Sequence, residues 1–281
     1  MSTFLNSIWR GLLVAVLPLA MAGAAVVLML IVVRPASAIT YGEPDGNEHP
    51  YVGLAAFFDA DGNFIHRCSG TLIAPRVFLT AGHCTYSGFG VVAARVWFDS
   101  EVTPETVPGY PFSGGVTGTP YAHPDFLKDF PNLSDVGVVY LDEPVEMETY
   151  GALPDLGVLD ELATRRGPDY PYFTVVGYGR QSIKPELQVD RVRYQGTVSL
   201  INLGNAWTDG FNIQFTCNPG EGHGSGGVCF GDSGGPVFLG DTNIVVAVNS
   251  FVANFNCKGV GFAYRVDIAN SQDFIDLFLE P

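Results

Sequence analysis

The chain has few basic side chains. Its 281 residues include 14 Lys and Arg against 29 Asp and Glu, which gives a formal net charge of −15 at pH 7. The first 38 residues hold two of the arginines and no acidic residue, so the remainder has 12 basic and 29 acidic side chains and a net charge of −17. A surface of this sign repels nucleic acid and anionic membranes. We therefore expect no nucleic acid among the partners of this chain.

The amino-terminal region also lacks any charge between Arg10 and Arg34. The uncharged stretch 11–33 is followed by Arg-Pro and then by Ala-Ser-Ala at 36–38, which is typical of an export signal with a small-x-small cleavage site. A stretch of 23 residues is also long enough to span a bilayer, so an uncleaved membrane anchor is the alternative. On either interpretation residues 39–281 are exported, and a membrane is a partner only if 11–33 stays attached.

Glycine and proline, by contrast, are abundant, with 34 and 19 residues, and they alternate with many short runs rich in Val, Phe and Tyr. This composition predicts turn-rich β structure. With 47% hydrophobic residues, the chain is able to bury one large core or two modest ones.

A serine lies between glycines at 231–236, in the sequence Gly-Asp-Ser-Gly-Gly-Pro. Glycines let the backbone turn sharply and let a substrate carbonyl approach closely. The amides of Gly231 and Ser233 are then able to converge on one oxygen, as in an oxyanion hole. We interpret Ser233 as a nucleophile. For this motif taken alone, a tight turn between strands is the alternative.

A serine hydroxyl needs a neighbouring base to become a nucleophile. All five histidines precede Ser233, which argues against the α/β-hydrolase order of nucleophile, acid and histidine. His83 alone directly follows an apolar run and directly precedes a cysteine, so it is the candidate base. Asp135 opens the most hydrophobic run in the middle of the chain, 136–141, and is the candidate acid.

Three segments together resemble the signatures of the chymotrypsin/trypsin family of serine endopeptidases: Leu-Thr-Ala-Gly-His-Cys at 79–84, Asp-Val-Gly-Val at 135–138, and 231–236. Their order matches as well, and the resemblance covers residues 39–275. It implies an all-β fold of two packed antiparallel β-barrels with the active site in the cleft between them. It also implies hydrolysis of peptide bonds in peptide or protein substrates, with no cofactor and no metal.

The resemblance assigns a role to each member of a catalytic triad. His83 removes the proton of Ser233 and later protonates the leaving amine, while Asp135 holds the imidazole tautomer and stabilises its charged form. His83 and Asp135 come from the first barrel and Ser233 from the second. Two alternatives stay open: a catalytically silent binding module of the same fold, and an esterase with the same triad.

We predict four segments after the export signal. They are a first barrel over about 39–145, a linker over about 146–170, a second barrel over about 171–266, and a C-terminal helix over 267–279.

Five cysteines cannot all pair. In an exported protein Cys68 and Cys84 should form a disulfide, and the family has a bridge at this place. By resemblance Cys229 pairs with Cys257. Cys217 is then left over, and we expect it to be a buried free thiol.

The resemblance also locates the specificity pocket. Its base falls six residues before the nucleophile, and no carboxylate stands there to pair with Lys or Arg. Val252 replaces a small residue of the family and should shorten the pocket, which favours Ala, Val or Leu over Phe or Tyr. The predicted substrate-binding residues are Gly227, Ser250, Phe251, Val252 and Gly261.

Residues 39–42, Ile-Thr-Tyr-Gly, resemble the Ile-Val-Gly-Gly start of active family members. In the family, the newly exposed terminal Ile inserts into the body and its ammonium pairs with the Asp before the nucleophile, here Asp232. Ile39 directly follows the predicted cleavage site, so our hypothesis is that signal cleavage itself creates this terminus. We expect a secreted monomer without a separate zymogen stage.

Overall fold

Short Val-, Phe- and Tyr-rich segments form strands throughout the structure, a computed structural model that describes residues 39–163, 171–181, 187, 189–217 and 226–279. The predicted export signal and the end of the predicted linker lie outside these residues. The described strands are β1 Glu43–Pro44, β2 Val52–Phe58, β3 Phe64–Ala74, β4 Val77–Thr80, β5 Ala93–Trp97, β6 Val116–Ala122, β7 Gly137–Leu141, β8 Tyr172–Gly177, β9 Tyr194–Asn202, β10 Asn212–Thr216, β11 Pro236–Leu239, β12 Val245–Val252 and β13 Val260–Arg265. The described helices are α1 Gly82–Thr85, a 3-10 turn at Ser87–Phe89, α2 Val158–Ala163 and α3 Ala269–Leu279.

The strands close into two barrels. The first barrel has the order β2-β3-β4-β7-β6-β5, and neighbouring strands are antiparallel. In the second barrel β9-β10-β13-β12-β11-β8 are neighbours, and β8 pairs with β9 to complete the ring. The short β1 adds to the outer edge of β9. The predicted all-β fold of two antiparallel barrels is thus confirmed.

The first hairpin shows how local sequence determines this topology. Strands β2 and β3 are joined by a turn in which Gly62 has φ +79°, a conformation that favours glycine. Asp59 Oδ1 accepts hydrogen bonds from the backbone amides of Asp61 at 2.9 Å and Asn63 at 2.8 Å. These bonds fix the turn. Every residue of β2 is buried, so both faces of this strand are covered in the folded protein.

Buried aromatic and aliphatic side chains fill the two barrels. Phe57 and Phe78 lie in a core that continues across the interface to Tyr178 and Tyr264 of the second barrel. A second core lies inside the second barrel and includes Phe215. Since the two barrels share buried apolar surface, they are packed against each other rather than merely linked.

A buried arginine ties the amino-terminal segment to both barrels. Arg193, directly before β9 of the second barrel, donates from Nε to Asp45 Oδ2 at 2.8 Å. Its Nη1 donates to the carbonyl of Val52 at 3.0 Å and to the Tyr178 hydroxyl at 3.2 Å. His49 contacts the other carboxylate oxygen of Asp45. Burial raises the pKa of Asp45, but the bonds from His49 and Arg193 and the Arg193 charge outweigh it, so this pKa is lowered.

The C-terminal helix begins two residues later than predicted, at Ala269 instead of 267. The reason is that Asp267 is buried and its carboxylate accepts bonds from the Arg265 guanidinium, at 2.8 Å to each oxygen, and from the Leu159 amide at 2.8 Å. Asp267 therefore holds α2 and β13 together. Within the described residues, no helix has the length and apolar character needed to cross a membrane.

Candidate active site

His83 lies at the end of the first barrel, in the short helix α1 that follows β4. The helix packs closely against other segments of the first barrel: a Cβ on Gly82 would lie 3.0 Å from the Phe126 ring and 3.1 Å from the Val136 carbonyl. A disulfide between Cys68 and Cys84 ties α1 to β3. The His83 side chain remains 30% exposed, so a rigid backbone presents an accessible imidazole.

Asp135 is buried beside His83. Its Oδ2 accepts a hydrogen bond from His83 Nδ1 at 2.9 Å, and its Oδ1 accepts one from the His83 amide at 2.7 Å. The Ser250 hydroxyl, from β12 of the second barrel, also donates to Oδ2. Three donors thus hold the carboxylate and, through it, the ring. Because Nδ1 faces the carboxylate, Nε2 is the nitrogen left to act on a nucleophile.

The electrostatics of this pair suit a base. Burial disfavours the imidazolium of His83, but the Asp135 charge and hydrogen bond outweigh burial, so the pKa of His83 is raised. Burial likewise raises the pKa of Asp135, but the charge and hydrogen bonds of His83, with the Ser250 bond, outweigh it and lower this pKa. Each member of the pair therefore stabilises the charged form of the other.

Ser233 lies in a glycine turn that precedes β11. Gly231 and Gly234 have φ values of +100° and +75°, which other residues rarely adopt. A Cβ on Gly234 would lie 2.0 Å from Thr80 Oγ1, so this position also requires glycine for space. The Ser233 carbonyl accepts from the Ser69 amide at 2.8 Å. The turn is therefore fixed against the first barrel.

The amides of Gly231 and Ser233 make no hydrogen bond to any described residue. The Phe230 carbonyl accepts from the Arg180 amide at 2.9 Å. In a trans peptide C=O and N–H point in opposite directions, so the Gly231 N–H points away from Arg180. This leaves the amide available to a bound oxygen. Within the same residues, no hydrogen bond joins His83 to the Ser233 hydroxyl, a contact that is often long in a free enzyme.

His83 and Ser233 share a cleft with a cavity volume of about 320 Å³. Among the predicted substrate-binding residues, Ser250, Phe251 and Val252 line the cleft, whereas Gly227 and Gly261 are not among its lining residues. Instead, a Cβ on Gly227 would lie 2.5 Å from Cys217 Cα, and one on Gly261 would lie 2.8 Å from Cys217 Sγ. The other lining residues are Val228, Cys229, Phe230, Asn249, Ala253, Asn254 and Phe255.

The cysteines near the site form disulfides or remain a buried thiol, which bears on whether they could bind a metal ion. Cys229 is bonded to Cys257, and Cys217 is a buried free thiol whose pKa burial raises to about 12. The Cys68, His83 and Cys84 ligand atoms lie within 4.8 Å of one another. However, the two sulfurs are bonded to each other, and only a thiolate is a metal ligand.

Asp232 is buried next to the nucleophile. It accepts from the Gly179 amide at 2.8 Å and from the Cys229 amide at 2.9 Å. Burial outweighs these two bonds and the more distant charge of Arg67, which raises the pKa of Asp232 to about 7. No described cation forms an ion pair with it. Ionisation of Asp232 in this environment is thus unfavourable.

Ile39 is fully buried, and its Cγ2 would lie 2.7 Å from a Cβ on Gly196 and 3.0 Å from one on Gly226. Thr40 forms a β-bridge with Gly227, whose amide donates to the Thr40 carbonyl at 3.0 Å. Residues 39 and 40 are thus already packed into the second barrel.

Two contacts at the site had no signal in the sequence. Ser69 bonds to the Ser233 turn and Tyr178 bonds to Ser69, but neither residue lies in one of the three motifs. Their partners are separated from them by up to 162 residues along the chain. The structure alone brings these residues to the site.

Two closed antiparallel barrels that meet at a cleft define a chymotrypsin-like fold, and comparison with known proteins agrees. The Trypsin family profile matches residues 42–275. A collagenase of Hypoderma lineatum is 27% identical over 209 residues, covering 70% of this chain and 71% of the collagenase. Chymotrypsin-like elastase family member 3B of Homo sapiens is 26% identical, covering 80% and 82%. The solved structure of HL collagenase aligns with a TM-score of 0.65 at 22% identity, over 85% of this chain and 97% of that one.

The chain therefore belongs to the trypsin family and is a serine endopeptidase, a hydrolase. Its disulfides are of the kind found in exported proteins.

Proposed function

We propose that this protein is a secreted endopeptidase in which His83, Asp135 and Ser233 form the catalytic triad. The observation that carries the proposal is the Asp135–His83 pair with its Nδ1–Oδ2 distance of 2.9 Å, in the same cleft as Ser233. His83 Nε2 takes the proton of Ser233 as the hydroxyl oxygen attacks the scissile carbonyl. It then gives this proton to the leaving amine, and water hydrolyses the acyl-enzyme by the reverse sequence.

The amides of Gly231 and Ser233 are the proposed oxyanion hole. Both lie in a turn fixed by two positive-φ glycines and by bonds to the first barrel, so they need little reorganisation when negative charge develops. Asp135 keeps the imidazole oriented and stabilises its charged form.

We further propose cleavage after small or medium apolar residues. Val252 lines the cleft, and neither Gly227 nor Gly261 extends it. Both glycines lie against Cys217. We therefore expect Cys217 to fill the space that a deeper specificity pocket would need. Among the described residues, the lining contains no carboxylate, so none of them would compensate the charge of a Lys or Arg side chain. A peptide library cleaved chiefly after Arg or Lys would show this preference to be wrong.

Activation is proposed to follow cleavage before Ile39. The new ammonium would supply the paired cation that Asp232 lacks, and Thr40 already forms a β-bridge with Gly227, six residues before Ser233. The predicted export signal ends at 38, so its removal during secretion would produce this terminus.

A labelling experiment separates this function from its alternatives. The exported protein is treated with a serine-directed fluorophosphonate, and hydrolysis of casein is compared with that of short esters. Labelling at Ser233 together with casein cleavage is expected. Absence of labelling would indicate a silent binding module, and turnover of esters alone would indicate an esterase.

A further inference from the structure

Ser69 contacts both residues whose amides form the proposed oxyanion hole. It lies on β3 of the first barrel and is fully buried. Its amide donates to the Ser233 carbonyl at 2.8 Å, and its hydroxyl donates to the Gly231 carbonyl at 2.9 Å. A single first-barrel residue therefore holds the carbonyls of two second-barrel residues in the catalytic turn.

We propose that the Ser69 hydroxyl is a positioning group that sets the geometry of the oxyanion hole; this inference rests on the proposed function. The amide bond to Ser233 is available to any residue at position 69. The bond to Gly231 requires a side-chain donor. The serine hydroxyl is thus the part of this contact that the sequence specifies.

Gly231 needs such a contact because its backbone has great freedom. Glycine at φ +100° loses more conformational entropy on folding than other residues do. The peptide that follows Gly231 is held at one side by the Asp232 amide, which donates to the Cys229 carbonyl at 3.0 Å. At its other side it is held by Ser69 alone among the described residues. Without the hydroxyl this peptide loses one of its two anchors. It links the peptide that carries the Gly231 N–H to the peptide that carries the Ser233 N–H, so a change in its tilt would alter how the two N–H groups are directed relative to each other.

The direction of the hydroxyl proton is also determined. The Tyr178 amide donates to Ser69 Oγ at 2.9 Å, which occupies a lone pair of the oxygen. The hydroxyl has one proton, and it is directed at the Gly231 carbonyl. Tyr178 is itself fixed, because its phenol donates to the Asp99 carbonyl at 2.8 Å. The Ser69 hydroxyl is therefore held by the Tyr178 amide on one side and by the Gly231 carbonyl on the other.

The test is Ser69→Ala, with Ser69→Gly made alongside it. The kcat for a peptide substrate should fall about 10- to 100-fold, less than for outright loss of an oxyanion donor, while KM stays within about threefold. Affinity for a peptide boronic acid, which forms a tetrahedral adduct with the serine, should fall in parallel with kcat. Inhibition by the amine-side cleavage product, whose new terminus places no negatively charged oxygen in the hole, should not change.

Thr71→Val is the matched control. Thr71 lies two residues further along β3, is equally buried, and its hydroxyl has no hydrogen-bond partner among the described residues. This variant should keep wild-type kcat. The concentration of active sites is measured by titration with the fluorophosphonate, so that misfolded protein does not lower the calculated kcat. Unchanged kcat in both Ser69 variants, or equal losses of boronate and product affinity, would overturn the inference. A wild-type protein without labelling would instead refute the proposed function.

Discussion

At the scale of single residues, the proposed chemistry depends on the Ser233 hydroxyl and the His83 imidazole. Ser233→Ala should lower kcat on the order of a million-fold while leaving the unfolding transition in place, and His83→Ala should do nearly as much damage. The Ser233 hydroxyl makes no hydrogen bond to a described residue, so its loss leaves no buried group unpaired. Turnover and urea unfolding of each variant measure the two effects. Retention of more than a few per cent of activity would identify another nucleophile or base.

The His83–Asp135 pair predicts how activity falls at acid pH, along the acid limb of the pH profile. Burial disfavours the charged imidazole, but the Asp135 charge and bond outweigh it and raise the pKa of His83. Protonated His83 cannot accept the Ser233 proton, so kcat/KM should fall as pH drops through a pKa above about 6.5. Asp135→Asn removes the charge, so the limb should move to lower pH while kcat falls on the order of 10⁴-fold. A wild-type limb well below pH 6 would contradict this.

At the scale of structural elements, strand β12 connects the proposed triad to the proposed specificity pocket. Ser250 donates to Asp135, and two residues further on Val252 lines the cleft. Val252→Gly should raise kcat/KM for Phe over that for Ala at the cleavage site about 10- to 100-fold, since each methylene in such a pocket has an effect of this size. A panel of peptides that differ only at this residue measures it. Turnover of the Ala peptide is the internal control, and an unchanged ratio would remove Val252 from the pocket.

The buried Arg193 contact connects elements of both barrels. Asp45→Asn should lower the free energy of unfolding by about 3–5 kcal/mol, because it leaves a buried guanidinium without a carboxylate. Asp125→Asn is the control: its pair with Lys128 is exposed, and exposed pairs contribute about 0–1 kcal/mol. Since the pKa of Asp45 is lowered, its contribution is present at neutral pH and is lost as pH falls through that lowered value. Urea unfolding of the two variants at pH 7 and near pH 3 tests both statements.

The elements also show what the sequence can and cannot reveal. Local patterns predicted the first hairpin and the C-terminal helix, because turn chemistry and apolar periodicity are visible in neighbouring residues. Strands β10 and β13 are not evident from the local sequence, because their pairing with each other joins residues more than 40 positions apart. Likewise, motifs predicted His83, Asp135 and Ser233; Asp135 bonds to His83, and His83 and Ser233 line the same cleft. The contacts of Ser69 and Arg193 are determined by the tertiary fold, so no local pattern could reveal them.

At the scale of the whole molecule, the proposed activation makes the charge of one buried carboxylate the connection between processing and activity. Burial raises the pKa of Asp232 to about 7, well above that of an unfolded Asp. While Ile39 has a peptide bond before it, the folded protein must therefore pay for ionising Asp232, and its stability falls as pH rises from about 4 to 7. An ammonium at Ile39 would remove this cost and hold the turn of the proposed oxyanion hole in place.

The experiment compares protein that begins at Ile39 with protein that retains Ala-Ser-Ala before it. The first should be far more active, and at pH 8 it should be more stable by a few kcal/mol, on the order expected for a pKa shift of about three units. The stability difference should shrink toward pH 4, where an unpaired Asp232 is neutral. It should also shrink at alkaline pH, because the paired ammonium has a pKa above the ordinary value of about 8 and the pairing is lost as pH rises through that raised value. Urea midpoints across this range and kcat/KM at pH 8 provide the measurements. Equal activity of the two forms would refute activation by the new terminus. An uncleaved anchor in the native protein would refute activation by signal removal, unless a second protease cuts before Ile39.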